Sequence, residues 1–281
     1  MTAPLIGGLS ELADGYDAYL LDAWGVIHDG LTLYPGALDC LAKLRGAGKH
    51  LLLVSNASRR AVVVGGELGA LGVPIGYFDA VVTSGEGCWQ AMQSGRYGRR
   101  CYYLGPGYSL NLFDGLKVTR VEELTLADFV LVAGMAQRTD TPDAYDDLLM
   151  QASELGLELV CANSDIEVIH SGERRYSGGA VARRFEMLGG TVHYFGKPRR
   201  AIFESCVARI AEIPRERILV VGDSFDTDIP GAIDAGLDSL FIAGGIHAEE
   251  LGGRPFSAEN LETFYARRGL RPTASLDVLR W

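Results

Sequence analysis

The chain has 281 residues, 48% of them hydrophobic and 22% charged, with a formal net charge of −10. That length supports two domains with a sizeable core. The acidic balance excludes nucleic acid and anionic membrane surfaces as partners, but leaves a small phosphorylated ligand open, because local charge governs a pocket.

The apolar run Ala18–Leu21 predicts a first strand near 18–22 that ends on Asp22, before Ala23-Trp24-Gly25-Val26. A carboxylate closing a buried strand is costly unless it has a role. Pro35-Gly36 opens a predicted helix over 36–47, and Gly46 and Gly48 end it. A second strand, 50–55, stops on Ser55-Asn56 and precedes a helix over 59–72. From about Ser84 to Gly190 the chain carries separate strand-like runs (Cys101–Leu104, Phe129–Ala133, Leu157–Cys161) and helical patterns at 86–93, 141–154 and 178–188. That is enough for an inserted α/β domain. Core strands are expected to resume near 192–195, followed by Gly196-Lys197-Pro198 and a helix over 198–211. Ile218–Gly222 predicts another strand, tipped by Asp223, with a helix over 228–235 and a further strand near 238–243. The tail after Ala248 carries one helical segment near 257–267.

Strands alternating with helices, several of them continuously apolar, predict an α/β fold with a doubly wound parallel sheet. The expected division is 1–83 with 191–281 as one domain and 84–190 as the insert. No apolar run reaches bilayer-spanning length, and Met1–Asp14 lacks the character of a signal peptide. The five cysteines are widely spaced, with no CxxC pair, and read as reduced thiols of a cytoplasmic protein. Gly105-Pro106-Gly107 is a plain turn rather than a dinucleotide fingerprint, since no third glycine follows in register.

In an open parallel sheet, ligands bind at the carboxyl ends of the strands. Asp22 is there a candidate nucleophile toward phosphorus, and Asp223 a second carboxylate. Two adjacent carboxylates repel unless a hard cation such as Mg²⁺ lies between them. Ser55, with the N–H groups of Asn56 and Ala57 at the expected start of a helix, offers donors to an anion. Lys197 adds a positive charge, and Asp228 is placed either to orient it or to hold a metal-bound water.

These segments, in this order, resemble the four motifs of the haloacid dehalogenase (HAD) superfamily. The first is Asp22-Ala23-Trp24-Gly25-Val26, the second Ser55, the third Lys197 and the fourth Gly222–Asp228. The insert resembles the type C2 α/β cap of the class IIA (NagD-like) branch. Pro35-Gly36-Ala37, Ser55-Asn56 and Cys161–Asp165 followed by Gly178-Gly179 add to that likeness. The resemblance implies a Rossmann-like core with a cap, and an Mg²⁺-dependent phosphatase acting through an aspartyl-phosphate on a small phosphorylated metabolite. Cap-mediated homodimers are familiar among similar proteins. It implies Asp22, Ser55 and Lys197 as catalytic residues, with Ser55, Asn56 and Lys197 binding substrate. Asp22, the Trp24 carbonyl and Asp223 would hold the metal, supported by Asp228 and His28.

One position departs from the pattern. The family's phosphatases usually carry a second aspartate two residues after the nucleophile, as general acid and base. Here that position is Trp24, which transfers no proton at neutral pH. His28 or Asp29, a few residues on, is the expected substitute, since histidine titrates in a suitable range. Two rival expectations follow from Trp24: a phosphometabolite-binding protein with little turnover, or a metal-independent carbon–halogen hydrolase.

Overall fold

A computed structural model describes residues 3–170 and 172–281. The chain begins with β1 (Ala18–Leu21), α1 (Ala37–Gly46), β2 (His50–Ser55), α2 (Ala61–Ala70), β3 (Ala80–Thr83) and α3 (Ser84–Gln93). It continues through β4 (Arg100–Leu104), β5 (Thr119–Val121), β6 (Phe129–Val132), α4 (Asp146–Glu154) and β7 (Glu158–Cys161). Next come β8 (Glu167–His170), β9 (Glu173–Tyr176), α5 (Gly178–Met187) and β10 (Val192–Tyr194). The chain closes with α6 (Arg200–Val207), β11 (Ile218–Gly222), α7 (Asp228–Asp234), β12 (Asp238–Ile242), α8 (Ala258–Arg268) and β13 (Ala274–Leu276).

Six strands form one parallel sheet in the order β13-β12-β11-β1-β2-β3. Side chains alternate across it, as a two-residue period requires. Tyr19, Leu21, Leu51, Leu53, Leu219 and Val221 pack on one face with Cys40, Leu41 and Leu44 of α1 and Val64 and Leu68 of α2. Ala18, Leu20, Leu52, Val54, Ile218 and Val220 pack on the other with Ile202, Phe203 and Cys206 of α6 and Ala232 of α7. Both faces are covered, which is why these strands read as unbroken apolar runs. Strand order runs outward in both directions from the β1–β11 pair, so the crevice beyond their carboxyl ends is the sheet's switch point.

A second parallel sheet has the order β10-β7-β6-β4-β5. Helix α3 covers one face through Cys88 and Met92, and α4 and α5 cover the other through Leu149, Ala152, Val181 and Phe185. The expected core strand near 192–195 is corrected here. Val192–Tyr194 pairs in parallel with β7, at the edge of this second sheet, because its partly buried side chains join that sheet's cluster instead of the core. Two features had no apolar signal: the antiparallel hairpin β8–β9 and the edge strand β13. The tail docks through an aromatic cluster in which Phe225, Phe241, Phe264 and Tyr265 pack together, Phe225 and Phe241 edge-to-face at 4.7 Å. Among the described residues, no helix is long and apolar enough to cross a membrane.

Candidate active site

The sheet carries its polar tips to one place. Asp22 follows β1, its N–H still donating to the Val221 carbonyl of β11. Asp223 follows β11, and Ser55 ends β2. Carboxylate oxygens of Asp22, Asp223 and Asp228 all lie within 4.8 Å of one another. Gly25 makes this approach possible. Its φ is +78°, and a Cβ there would sit 1.9 Å from Oδ2 of Asp223.

Lys197 lies beneath the cluster and is 1% exposed. Its Nζ is 2.9 Å from Asp22 Oδ1 and 2.7 Å from Asp228 Oδ1, and it also donates to the Val54 carbonyl at 3.2 Å. Burial alone would lower this ammonium's pKa, but the Asp22 and Asp228 carboxylates outweigh that and raise it. The lysine therefore stays charged. Burial pushes the Asp22, Asp223 and Asp228 carboxyls upward, with Lys197 opposing the rise. Among the described residues, Asp223 receives only the Ile246 N–H, at 2.8 Å. One ammonium thus faces three carboxylates. An all-oxygen donor set with a surplus of negative charge fits a hard divalent cation.

Asn56 is the fastener of the site. Its Oδ1 accepts the Lys197 N–H at 2.7 Å, and its Nδ2 donates to the Lys197 carbonyl at 3.1 Å and to Asp165 Oδ1 at 2.7 Å. The Ser164 hydroxyl also donates to the Lys197 carbonyl. Burial raises the Asp165 carboxyl to about 6, with the Asn56 hydrogen bond opposing. The expected helix start directly after Ser55 is corrected. Helix α2 begins only at Ala61, and the Ala57 N–H already donates to Ser55 Oγ at 3.2 Å. The Asn56 amide is committed to holding Lys197 and the Asp165 loop in place. Ser55 itself remains buried at the tip of β2.

The structure does not favour the substitute acids. His28 Nδ1 accepts the Gly30 N–H at 2.9 Å, and burial pulls the imidazole down to about 4, so the ring is neutral at pH 7. Asp29 accepts the Leu31 and Thr32 N–H groups at 2.9 and 2.8 Å, and these bonds lower its pKa. Both residues build the turn. The sign of the pH effect follows. The unfolded chain takes up the His28 proton near 6.5 and the folded chain near 4, so stability is lost as pH falls through that window. His28→Asn keeps an acceptor for the Gly30 N–H, and is expected to remove about 2 kcal/mol of the stability lost between pH 7 and pH 5. Urea unfolding of both proteins at the two pH values measures it; parallel losses would refute the assignment.

Trp24 joins the core to the hairpin. Its Nε1 donates to the Ile169 carbonyl of β8 at 2.7 Å, and its ring lies against those of His28 and His170. Arg174 of β9 ties the same hairpin to the core by donating to the Ile246 carbonyl at 3.0 Å. Between hairpin and core lies a cavity of about 490 Å³, lined by Asp22, Trp24, Asp165 and Asp223 among others. The hairpin, Arg174 and the Gly244–Ile246 loop escaped sequence reasoning. The glycine pair Gly244-Gly245 after β12 was the available signal, since a Cβ at Gly245 would meet Asp223 Oδ2 at 2.2 Å.

Comparison with known proteins agrees with this geometry. A family model described as haloacid dehalogenase-like hydrolase matches residues 19–118, and a HAD-hydrolase-like model matches 194–263. The crystal structure of a haloacid dehalogenase-like hydrolase from Brucella suis is 35% identical, with a TM-score of 0.86 over 98% of this chain and all of that one. An acid sugar phosphatase of Staphylococcus saprophyticus is 24% identical over 84% of this chain and 89% of its own. A glycerol phosphate phosphatase of Mycobacterium tuberculosis, solved in complex with magnesium, is 26% identical, with a TM-score of 0.64 over 93% of this chain and 79% of that one. With its ordered motifs meeting at one switch point and a full-length relative of this identity, the chain belongs to the haloacid dehalogenase-like hydrolase family, in its class IIA branch.

Proposed function

We propose that this protein hydrolyses phosphate monoesters of small metabolites, using Asp22 as nucleophile and a divalent metal, Mg²⁺ by preference. The observation that carries the reading is the meeting of Asp22, Asp223 and Asp228 around a single lysine at the end of the sheet. The phosphatase relatives and the magnesium complex among them support it. Asp22, Asp223 and the Trp24 carbonyl would hold the metal, which when bound offsets the charge of the carboxylates and of the phosphoryl oxygens.

The chain's own groups divide the rest. Among the described residues, both polar contacts of the Asp22 side chain fall on Oδ1, leaving Oδ2 as the attacking oxygen. That oxygen bonds to phosphorus as the bond to the ester oxygen breaks, giving an aspartyl-phosphate and an alkoxide that takes its proton from solvent water. Water then attacks the aspartyl-phosphate, its oxygen bonding as the bond to Asp22 breaks and its proton passing to solvent, which releases phosphate and restores the carboxylate. Lys197 and the Ser55 hydroxyl stabilise charge on the phosphoryl oxygens. Asp228 holds the lysine, its second oxygen accepting the Ser224 N–H at 3.3 Å. The inserted unit from Ser84 to Tyr194 acts as the cap, with β8–β9 as the part over the cavity.

The test is turnover of p-nitrophenyl phosphate with and without Mg²⁺. Metal-dependent phosphate release that EDTA abolishes is expected. Release unaffected by EDTA, or none from any phosphate ester, would sink the reading.

A further inference from the structure

Arg183 lines the same cavity as Asp22 and Trp24. Its neighbour on α5, Arg184, is paired with Asp146. Two other guanidiniums on the cavity wall are neutralised: Arg174 by Glu167 at 2.9 Å, and Arg268 by Asp226 at 2.9 Å and Glu250 at 3.1 Å. Among the described residues, Arg183 has no ion pair, and it is exposed toward the cavity it lines. Among the described residues, two carboxylates on that wall outside the central cluster have no ion pair: Asp165, which accepts from the Asn56 amide, and Glu249, from the loop after β12.

The backbone position of Arg183 is fixed relative to the nucleophile. Helix α5 starts hard against the Asn163–Asp165 loop, where a Cβ at Gly179 would fall 2.3 Å from the Ser164 carbonyl oxygen. The Gly179 N–H donates to the Asp165 carbonyl at 3.0 Å. Asp165 is held by Asn56, and Asn56 by Lys197. Arg183 lies one turn along α5 from Gly179. An unbroken chain of contacts therefore ties the backbone that carries Arg183 to the proposed phosphate site, while its guanidinium stays free to meet a ligand.

We propose that Arg183 determines specificity, and that the substrate is a phosphate monoester whose alcohol portion carries a carboxylate, bound by the Arg183 guanidinium. A guanidinium presents paired N–H donors that match a carboxylate's two oxygens. A second phosphate carries close to two charges, more than one arginine offsets on a wall already rich in carboxylates. A carboxylate carries one. The inference rests on the phosphatase function proposed above.

The experiment compares 3-phosphoglycerate with glycerol 3-phosphate, which share a carbon chain and differ in the acid group, with p-nitrophenyl phosphate as control. The wild-type protein is expected to prefer 3-phosphoglycerate in kcat/KM by at least roughly 10-fold. Arg183→Gln is expected to lower kcat/KM for 3-phosphoglycerate by roughly 10- to 100-fold, mostly through KM, and to change glycerol 3-phosphate by less than about threefold. Arg183→Lys, which keeps charge without the fork, should fall between. Equal losses on both esters, or none on either, would overturn the role of Arg183. Absence of turnover on all three, the control included, would instead overturn the phosphatase function itself. Because Arg183 is exposed and unpaired, thermal unfolding should not shift in either variant.

Discussion

Replacing Asp22 with Asn is expected to reduce turnover by roughly 10⁴-fold or more while leaving the fold intact. The amide oxygen can still accept the Ala23 N–H, now made by Oδ1 at 2.8 Å, and can still face the Lys197 ammonium. Lys197 keeps its pair with Asp228 at 2.7 Å, so no buried charge is orphaned. The substitution removes one of three crowded carboxylates, and with it part of the repulsion that, after burial itself, raises the Asp223 carboxyl. Stability at neutral pH should hold or rise. Phosphate release and urea unfolding measured on one preparation test both halves. A variant that loses activity and also unfolds in less urea would show Asp22 to be a structural residue rather than the nucleophile.

The same contrast explains what the sequence made legible. Asp22, Asp223, Ser55 and Lys197 sit at ends of apolar strands or beside glycine and proline, and a polar residue at such a boundary is conspicuous. The doubly wound sheet was equally plain, because strands buried on both faces read as runs such as Leu51–Val54. The hairpin left no such trace. Its strands contain Glu167, His170, Glu173, Arg174 and Arg175, and its place is fixed by tertiary bonds from Trp24 and Arg174 rather than by an apolar face. Val192–Tyr194 looked like a core strand because local pattern states that a strand exists but not which sheet it joins. Nothing in the sequence separated Arg183 from Arg184. Only the fold pairs the second with Asp146 and leaves the first on the cavity wall. Asn56 was read for its backbone N–H, and the work of its side chain was invisible because the partners of that amide lie 109 and 141 residues away.

Trp24 stands where the family resemblance implies a general acid, and here it holds the hairpin. Changing it to Asp sets two effects against each other. Restoring a positioned acid is expected to add roughly 10²- to 10⁴-fold in rate. Losing the bond from Nε1 to the Ile169 carbonyl costs about 0.5–1.5 kcal/mol, up to roughly one factor of ten. The acid should prevail, so a net rise in kcat is expected. Proximity to Asp22 and Asp223 would also favour the protonated form of the new carboxyl. The rise should be largest for alkyl phosphates, whose leaving oxygen needs a proton, and small for p-nitrophenyl phosphate, whose leaving group departs as a stable anion. Trp24→Phe separates the terms, since it removes the hydrogen bond without adding an acid, and should only raise KM a few-fold. If Trp24→Asp instead tracks Trp24→Phe on both classes of ester, the hairpin contact outweighs proton transfer, and Trp24 is better understood as the residue on which closure of this site depends.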